Sequence, residues 1–361
     1  MSFDMRKNMS VAGCTLIIGL LGSVPALAEQ DALDRPAIMR TQERTTTSVM
    51  LSLQKAGKRL VAAGERGLIL WSDDEGQTWN QAKVPVSVTL TSLSFSDAQN
   101  GWATGHSGIV LGTTDGGQNW VKLFDGKRAA EIVSSEAKKS NATPAQIADA
   151  ERLVKDGPDK PFLSVYFSDA NNGLIVGAYG LIFSTADAGR SWKPLQGHIE
   201  NTKGLHFYSI HDAGDAVYLS GEQGSLYVSH DRGANFQSIK TPYLGTYFGV
   251  LTAGNNLLAF GMRGNSFFSG DKGKTWQKSE IPGNNTLTAG ARLKDGRVML
   301  VDDGGNILVS KDDGQRFTKA EMPKLTPLNS LIETEGGKLF FAGVRGISRV
   351  SQAQPATDDK K

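Results

Sequence analysis

Residues 64–79 read GERGLILWSDDEGQTW: a Gly-x-x-Gly turn, a short apolar run, then Ser72-x-Asp74-x-Gly76-x-Thr78-Trp79. A carboxylate, a hydroxyl and an aromatic within eight residues suit a catalytic site, and equally a polar turn. The number of copies decides between them. The phrase returns as GHSGIVLGTTDGGQNW from Gly105, GAYGLIFSTADAGRSW from Gly177 and GEQGSLYVSHDRGANF from Gly221. It returns again as GMRGNSFFSGDKGKTW from Gly261 and DDGGNILVSKDDGQRF from Asp302, and a shortened GVRGISRVS begins at Gly343. The starts lie 41, 72, 44, 40, 41 and 41 residues apart. A period near 40 with four short strands per unit is the signature of a propeller blade.

Each unit carries four strand signals. Strand A alternates, as in Leu90-Thr91-Ser92-Leu93-Ser94-Phe95; strand B ends in the GxxG turn, as in Gly101–Gly105; strand C leaves it, as in Ile109-Val110-Leu111. The eight-residue motif then turns the chain into strand D. Period-two alternation bounded by Gly, Asn and Asp marks strands. Seven copies predict an all-β, seven-bladed propeller over 37–350. The seventh copy lacks the motif and a D strand, so 37–43 is expected to supply the outer strand of the last blade and protect its edge.

The motif keeps its grammar in all six full copies: Asp74, Asp115, Asp187, Asp231, Asp271 and Asp312, each two residues after Ser or Thr and two before Gly. Trp79, Trp120, Trp192 and Trp276, with Phe236 and Phe317, close the copies. It resembles the Asp-box, or BNR repeat. The carboxylate suits backbone N–H groups of its own turn, the Gly a positive φ, and the aromatic a buried anchor. A catalytic site occurs once per chain, so six copies read as structure. A calcium loop is the other reading, but Asp312-Asp313-Gly314 lacks the twelve-residue ligand pattern. No metal is expected.

Strand direction alternates within a blade, so the Asp-boxes (C–D turns) share one face and the GxxG turns and D–A connections share the other. Loops carry function on such scaffolds, which directs attention to the GxxG face. Arg66, Arg263 and Arg345 occupy the third GxxG position of blades 1, 5 and 7, and Tyr179 and His106 lie on the same face. Blades 7 and 1 are neighbours in a closed ring, so Arg66 and Arg345 are expected side by side. Such a cluster suits a carboxylate or an acidic protein segment; exposed turn arginines that only solubilise are the alternative. The long 72-residue step holds an insertion over 124–161, between blades 2 and 3. Thr143-Pro144-Ala145-Gln146 reads as a capping box with Pro at the first helical position, and Gly157 as the stop. Residues 127–139 are also helix-compatible. The insertion either grips a partner, or covers the channel mouth, or packs on the rim.

The ends and the composition set limits. Arg6 and Lys7, an apolar run from Val11 to Leu21 and Ala26-Leu27-Ala28 form a secretory signal over 1–28, with cleavage expected after Ala28 and a periplasmic destination. Val11-Ala12-Gly13-Cys14 imitates a lipoprotein box, but the apolar run follows Cys14 rather than preceding it. Cys14 is the only cysteine, so the mature chain of about 333 residues relies on its core rather than on disulfides. Its charge near +1 offers no reason to expect nucleic acid as a partner. Residues 351–361 read as a disordered polar tail, and a monomer is expected.

Asp-boxes also occur in sialidases, whose sites need an arginine triad, a Tyr nucleophile with a Glu base, and an acid. No Tyr–Glu partnership stands out among the seven tyrosines, and Glu65 and Glu222 sit on the GxxG face of blades 1 and 4. A glycoside hydrolase is therefore the alternative rather than the main reading. The phrases Leu93-Ser94-Phe95-Ser96-Asp97-Ala98-Gln99-Asn100-Gly101-Trp102 and Val165-Tyr166-Phe167-Ser168-Asp169-Ala170-Asn171-Asn172-Gly173, each followed by a GxxG turn and an Asp-box, resemble the Ycf48/HCF136-like family of photosystem II assembly factors. The resemblance spans nearly the whole mature chain. It implies an exported, non-enzymatic propeller without a cofactor that binds a membrane-protein client through a basic face, for which Arg66, Arg263 and Arg345 are the matching positions. The helical insertion, and the lack of a turn arginine in blades 2, 3, 4 and 6, depart from that pattern. In a non-photosynthetic bacterium the client would be an envelope transporter.

Overall fold

The computed structural model describes residues 31–139 and 142–350. The expected signal (1–28) and polar tail (351–361) lie outside the described residues.

Seven antiparallel sheets follow one another along the chain. Blade 1 is Met50–Ala56, Arg59–Gly64, Ile69–Ser72 and Asn80–Gln81. Blades 2 to 6 occupy 90–124, 162–194, 207–238, 247–278 and 287–319. Blade 7 is Leu328–Glu333, Leu339–Gly343 and Gly346–Val350, with three strands only. The inner strands pack side by side, and that of blade 1 also packs on that of blade 7, so the ring closes.

The sequence pattern follows from position in this ring. Second strands lie between neighbouring blades and are almost wholly buried, so they read as continuous apolar or small runs, such as Val217–Gly221 and Leu339–Gly343. Inner strands alternate because one side faces the channel. Their first residue is a buried anchor in every blade: Met50, Leu90, Phe162, Phe207, Tyr247, Leu287 and Leu328. Hydroxyls knit most inner strands to the next. Leu93 N–H donates to Ser52 Oγ (3.1 Å), Phe167 N–H to Ser94 Oγ (3.1 Å) and Ile210 N–H to Ser164 Oγ (3.2 Å). The closing seam uses the same device: Leu53 N–H donates to Ser330 Oγ (3.1 Å), and Asn329 Nδ2 donates to the Met50 carbonyl (3.1 Å).

One expectation fails. Residues 37–43 do not complete blade 7: 37–41 are irregular, and helix α1 (Gln42–Thr46) follows. The segment spends its backbone on blade 1 instead. Ala37 N–H donates to the Val84 carbonyl (3.0 Å), Ser87 N–H to the Ala32 carbonyl (2.8 Å) and Arg40 N–H to Gln81 Oε1 (2.9 Å). Leu33 is buried there beside Val84 and Val86. The exit of blade 1 offers an unpaired backbone closer along the chain than blade 7 does.

The insertion is a helical hairpin, α2 (Gly126–Lys139) and α3 (Pro144–Asp156). Thr143 and Gln146 form the capping box, and Gly157 ends α3 with φ 80°. Buried Ala129 joins Phe124, Phe162, Leu181 and Trp192 in one cluster. Helix α2 rests on the outer strand Lys193–Pro194 and the turn His106–Gly108, while α3 packs on α2 and is largely exposed. The hairpin therefore sits at the rim of blade 3.

Candidate protein-binding face

The Asp-boxes are closed hydrogen-bond circuits. Asp74 Oδ1 accepts from Ser72 Oγ (2.8 Å), Gln77 N–H (3.0 Å) and Thr78 N–H (2.9 Å), and Oδ2 accepts from Thr78 Oγ1 (2.6 Å). Ser72 Oγ in turn accepts from Gly76 N–H (2.9 Å). The circuit recurs at Asp115, Asp187, Asp231, Asp271 and Asp312. Donation from Thr78 Oγ1 and N–H, with Ser72, holds the Asp74 carboxyl down at about 2. Asp187, Asp231 and Asp271 are likewise held at about 2, chiefly by the Ser191, Asn235 and Thr275 side chains. A carboxylate so occupied is a poor base and has little left for a metal. Trp79, Trp120, Trp192 and Trp276 anchor the hairpins; Trp79 meets Phe340 of blade 7 edge-on at 6.4 Å.

The GxxG face is built differently. Arg66, Ser107, Tyr179, Gln223 and Arg263 all adopt left-handed backbone, φ 52–57°, at a cost of roughly 1 kcal/mol each. The next residue must be glycine: a Cβ on Gly67 would meet the Val86 carbonyl oxygen at 2.1 Å. The D–A connection thus presses the last glycine in, and the third residue is held outward. Arg66, Arg263, Arg345, Tyr179 and His106 are all exposed, Tyr179 by 59%. The three arginines make no ion pair among the described residues. Both acids weighed for catalysis on this face are engaged: Arg40 holds Glu65 (3.1 Å), and Glu222 accepts from His206 N–H (2.9 Å). Asp303, between Arg263 and Arg345 in blade order, accepts from Thr286 N–H (3.0 Å).

Arg345 departs from the expected equivalence. Blade 7 turns through two residues, Val344 and Arg345, with Gly343 paired to Gly346. The positive φ falls on Gly346 (91°), and Arg345 is not left-handed.

Sequence reasoning missed the apolar part of the face. Leu244 is 84% exposed, and Met262 and Val344, at the second GxxG position of blades 5 and 7, are also exposed. A chain of rings runs inward to the channel: Tyr179–His206 (4.9 Å), His206–Tyr208 (6.4 Å) and Tyr208–Phe248 (4.9 Å), with Lys160 Nζ 5.1 Å from the Tyr179 ring. Tyr208 and Phe248 are the second residues of their inner strands. In blades 2, 6 and 7 that position is Thr91, Thr288 or Asn329, whose polar groups bond the next blade's first carbonyl. Leu51, Leu163, Tyr208 and Phe248 occupy it elsewhere and leave an apolar arc. The inner-strand alignment carries that signal.

A cleft of about 640 Å³ opens between blades 3 and 4 on the Asp-box face, lined in part by Tyr166, Asp169, Asp187, Asp212 and Arg232. Tyr166 Oη donates to Asp212, a Tyr–acid pair that sequence reading did not find. Burial, with this bond to a carboxylate, pushes the phenol up, the opposite of an activated nucleophile. The pair and the arginine positions sit at opposite ends of the propeller, so they do not assemble a sialidase constellation.

Fold and face define a class: an Asp-box propeller that offers an apolar, arginine-studded loop surface. The chain belongs to the family described as photosynthesis system II assembly factor YCF48, whose model matches residues 41–129 and 148–244, just over half of it. It is 26% identical over 184 residues to the photosystem II assembly lipoprotein Ycf48 of Synechococcus sp. (strain CC9902), covering 50% of this chain and 42% of that one. It is 23% identical over 250 residues to the chloroplastic photosystem II stability/assembly factor HCF136 of Arabidopsis thaliana, covering 68% and 50%. The chain thus spans about half the length of these curated relatives. A solved structure of YCF48 bound to D1 peptide superposes with TM-score 0.61 at 16% identity, covering 87% of this chain and 97% of that one, a likeness of fold.

Proposed function

We propose that the chain is an exported, non-enzymatic scaffold that holds a membrane-protein client by its GxxG face, as an assembly factor of the photosystem II type. The observation that carries this is the pairing of exposed Arg66, Arg263 and Arg345, without ion pairs among the described residues, with exposed Tyr179, Leu244, Met262 and Val344 on one face. Arginine and aromatic side chains together are the usual energetic centre of a protein interface. A segment with acidic groups beside apolar ones is the matching ligand. The family's assembly-factor membership and a relative solved with D1 peptide support a peptide-like ligand. The protein acts as a monomer in the periplasm after cleavage behind Ala28, needs no cofactor, and in an organism without photosystem II serves an envelope transporter.

The test is recovery of the client with tagged protein from membranes. Arg66→Glu with Arg345→Glu should cut recovery at least tenfold, about 1.4 kcal/mol or more, while leaving the fold intact. Undiminished recovery would remove the face from consideration. Turnover of a sialoside by purified protein, abolished by Asp212→Asn, would replace the scaffold reading with an enzymatic one.

A further inference from the structure

Among the described residues blade 7 ends in an open edge, with the end of helix α1 packed beside Gly346. Its last described strand, Gly346–Val350, pairs with Leu339–Gly343 on one side, and among the described residues no strand pairs with the other. Every other blade covers that edge with a fourth strand, in five of them only two residues long. Strand edges of this kind accept extended segments of other proteins.

The covered blades show what such a segment must look like. In each, an aromatic precedes the fourth strand: Trp79, Trp120, Trp192, Phe236 and Phe317 are buried and Trp276 is half-buried. Two polar residues follow in blades 1, 4, 5 and 6, all exposed save half-buried Gln81. The next residue is small or aliphatic and donates its N–H to the first residue of the third strand: Ala82 to Ile69 (2.9 Å), Leu195 to Ile182 (3.0 Å), Ile239 to Leu226 (2.8 Å) and Ala320 to Ile307 (2.8 Å). The template is aromatic–polar–polar–aliphatic. Blade 7 has the bed for it, since half-buried Val350 packs on the apolar cluster shared by blades 6 and 7, as do Ala320, Met322 and Leu325 just after blade 6.

Charge chooses the polar pair. Arg349 within the open strand and Arg345 at its start are exposed and make no ion pair among the described residues. Glu75 of blade 1 is held chiefly by Lys338 and lies within electrostatic reach of Arg349, so Arg349 is only partly compensated. An incoming segment with acidic residues at the two polar positions compensates both arginines, whereas a second copy of this strand would set Arg349 against itself.

We propose that the outer edge of Gly346–Val350 captures an extended partner segment of the pattern aromatic–acidic–acidic–aliphatic, which completes blade 7 as its fourth strand. The edge meets the GxxG face at Arg345 and otherwise lies outside it. The probe is a labelled ten-residue peptide with Trp-Glu-Asp-Leu at its centre, added to the mature chain and followed by anisotropy and amide hydrogen exchange. Saturable binding and at least tenfold slower exchange at amides within 346–350 are expected. A peptide N-methylated on the backbone of its Glu and Leu should bind at least tenfold more weakly, and Arg349→Glu should weaken the parent peptide three- to tenfold. Binding without protection at 346–350, or binding indifferent to N-methylation, would overturn the proposal. So would loss of binding in an Arg66→Glu, Arg263→Glu protein, which would place the peptide on the GxxG face. Protection already present without peptide, and lost on deleting 351–361, would assign the edge to the chain's own tail and equally overturn it.

Discussion

The two ends of this propeller treat polar groups in opposite ways. At the Asp-box end each carboxylate accepts several hydrogen bonds from its own turn, and the anchoring aromatics are buried, Trp276 by half. At the GxxG end, arginines, a tyrosine and aliphatic side chains stand exposed, and two of the acids beside them are already engaged. Self-satisfied groups hold a fold together; unsatisfied ones of complementary kinds are available to a partner. The contrast predicts that changes at one end alter stability and leave client binding alone, and that changes at the other do the reverse.

The largest effect on stability belongs to the Asp-box half of a blade boundary. Trp102 of blade 2 stacks on Phe167 of blade 3 at 3.5 Å with rings 2° from parallel, and its Nε1 donates to the Ala188 carbonyl in the blade 3 Asp-box (3.0 Å). It is buried. Trp102→Ala should cost about 3–5 kcal/mol in urea unfolding. A loss under 1 kcal/mol would mean that blades 2 and 3 are not held by this stack.

Acid should unfold the chain in two stages. His211, in the inner strand of blade 4, bonds Thr252 Oγ1 of blade 5 (2.8 Å), and burial lowers it from 6.5 to about 4 against the opposing pull of Asp212. A depressed histidine gives stability that is complete above pH 6.5 and lost as pH falls toward 4, on the order of 3 kcal/mol. Four Asp-box carboxylates, Asp74, Asp187, Asp231 and Asp271, lowered from 3.8 to about 2, give stability complete above pH 4 and lost between 4 and 2. Urea midpoints against pH should show both limbs, and His211→Gln should flatten only the first. Smaller still is Ser229→Ala. Ser229 Oγ donates to Asp231 (2.7 Å) and accepts from Gly233 N–H (2.7 Å), and its removal should cost about 1–2 kcal/mol.

The repeat made the structural half readable. Six copies of one phrase expose the blade count, the strand order and the roles of Asp74 and Trp79, because the same local physics must be solved in every blade. Thr143 and Gln146 were legible for a similar reason, since a capping box is local. The course of 37–43 was not: both blade 7 and the exit of blade 1 offer backbone partners, and nothing within those seven residues says which is taken. Arg345 misled because Gly343-x-x-Gly346 keeps the letters of the turn while the pairing shifts by one residue. The apolar arc of Tyr208 and Phe248 was hidden by alternation, which makes a half-exposed channel residue look like a core one.

The smallest stability effect, and the sharpest separation of the two ends, is expected for Arg66→Glu with Arg263→Glu. Both side chains are exposed and without ion pairs among the described residues, so urea unfolding should shift by no more than about 0.5 kcal/mol. Both also pay for left-handed backbone that Glu would inherit, which leaves φ, ψ and the glycine packing of the turn unchanged. Client recovery should nevertheless fall, and more steeply at low salt than at high, since the interaction at an exposed rim is screened over about 8–10 Å. A double variant that loses stability while keeping its client would reverse the assignment of the two faces: the arginines would then belong to the scaffold, and the search for the partner would move to the cleft between blades 3 and 4.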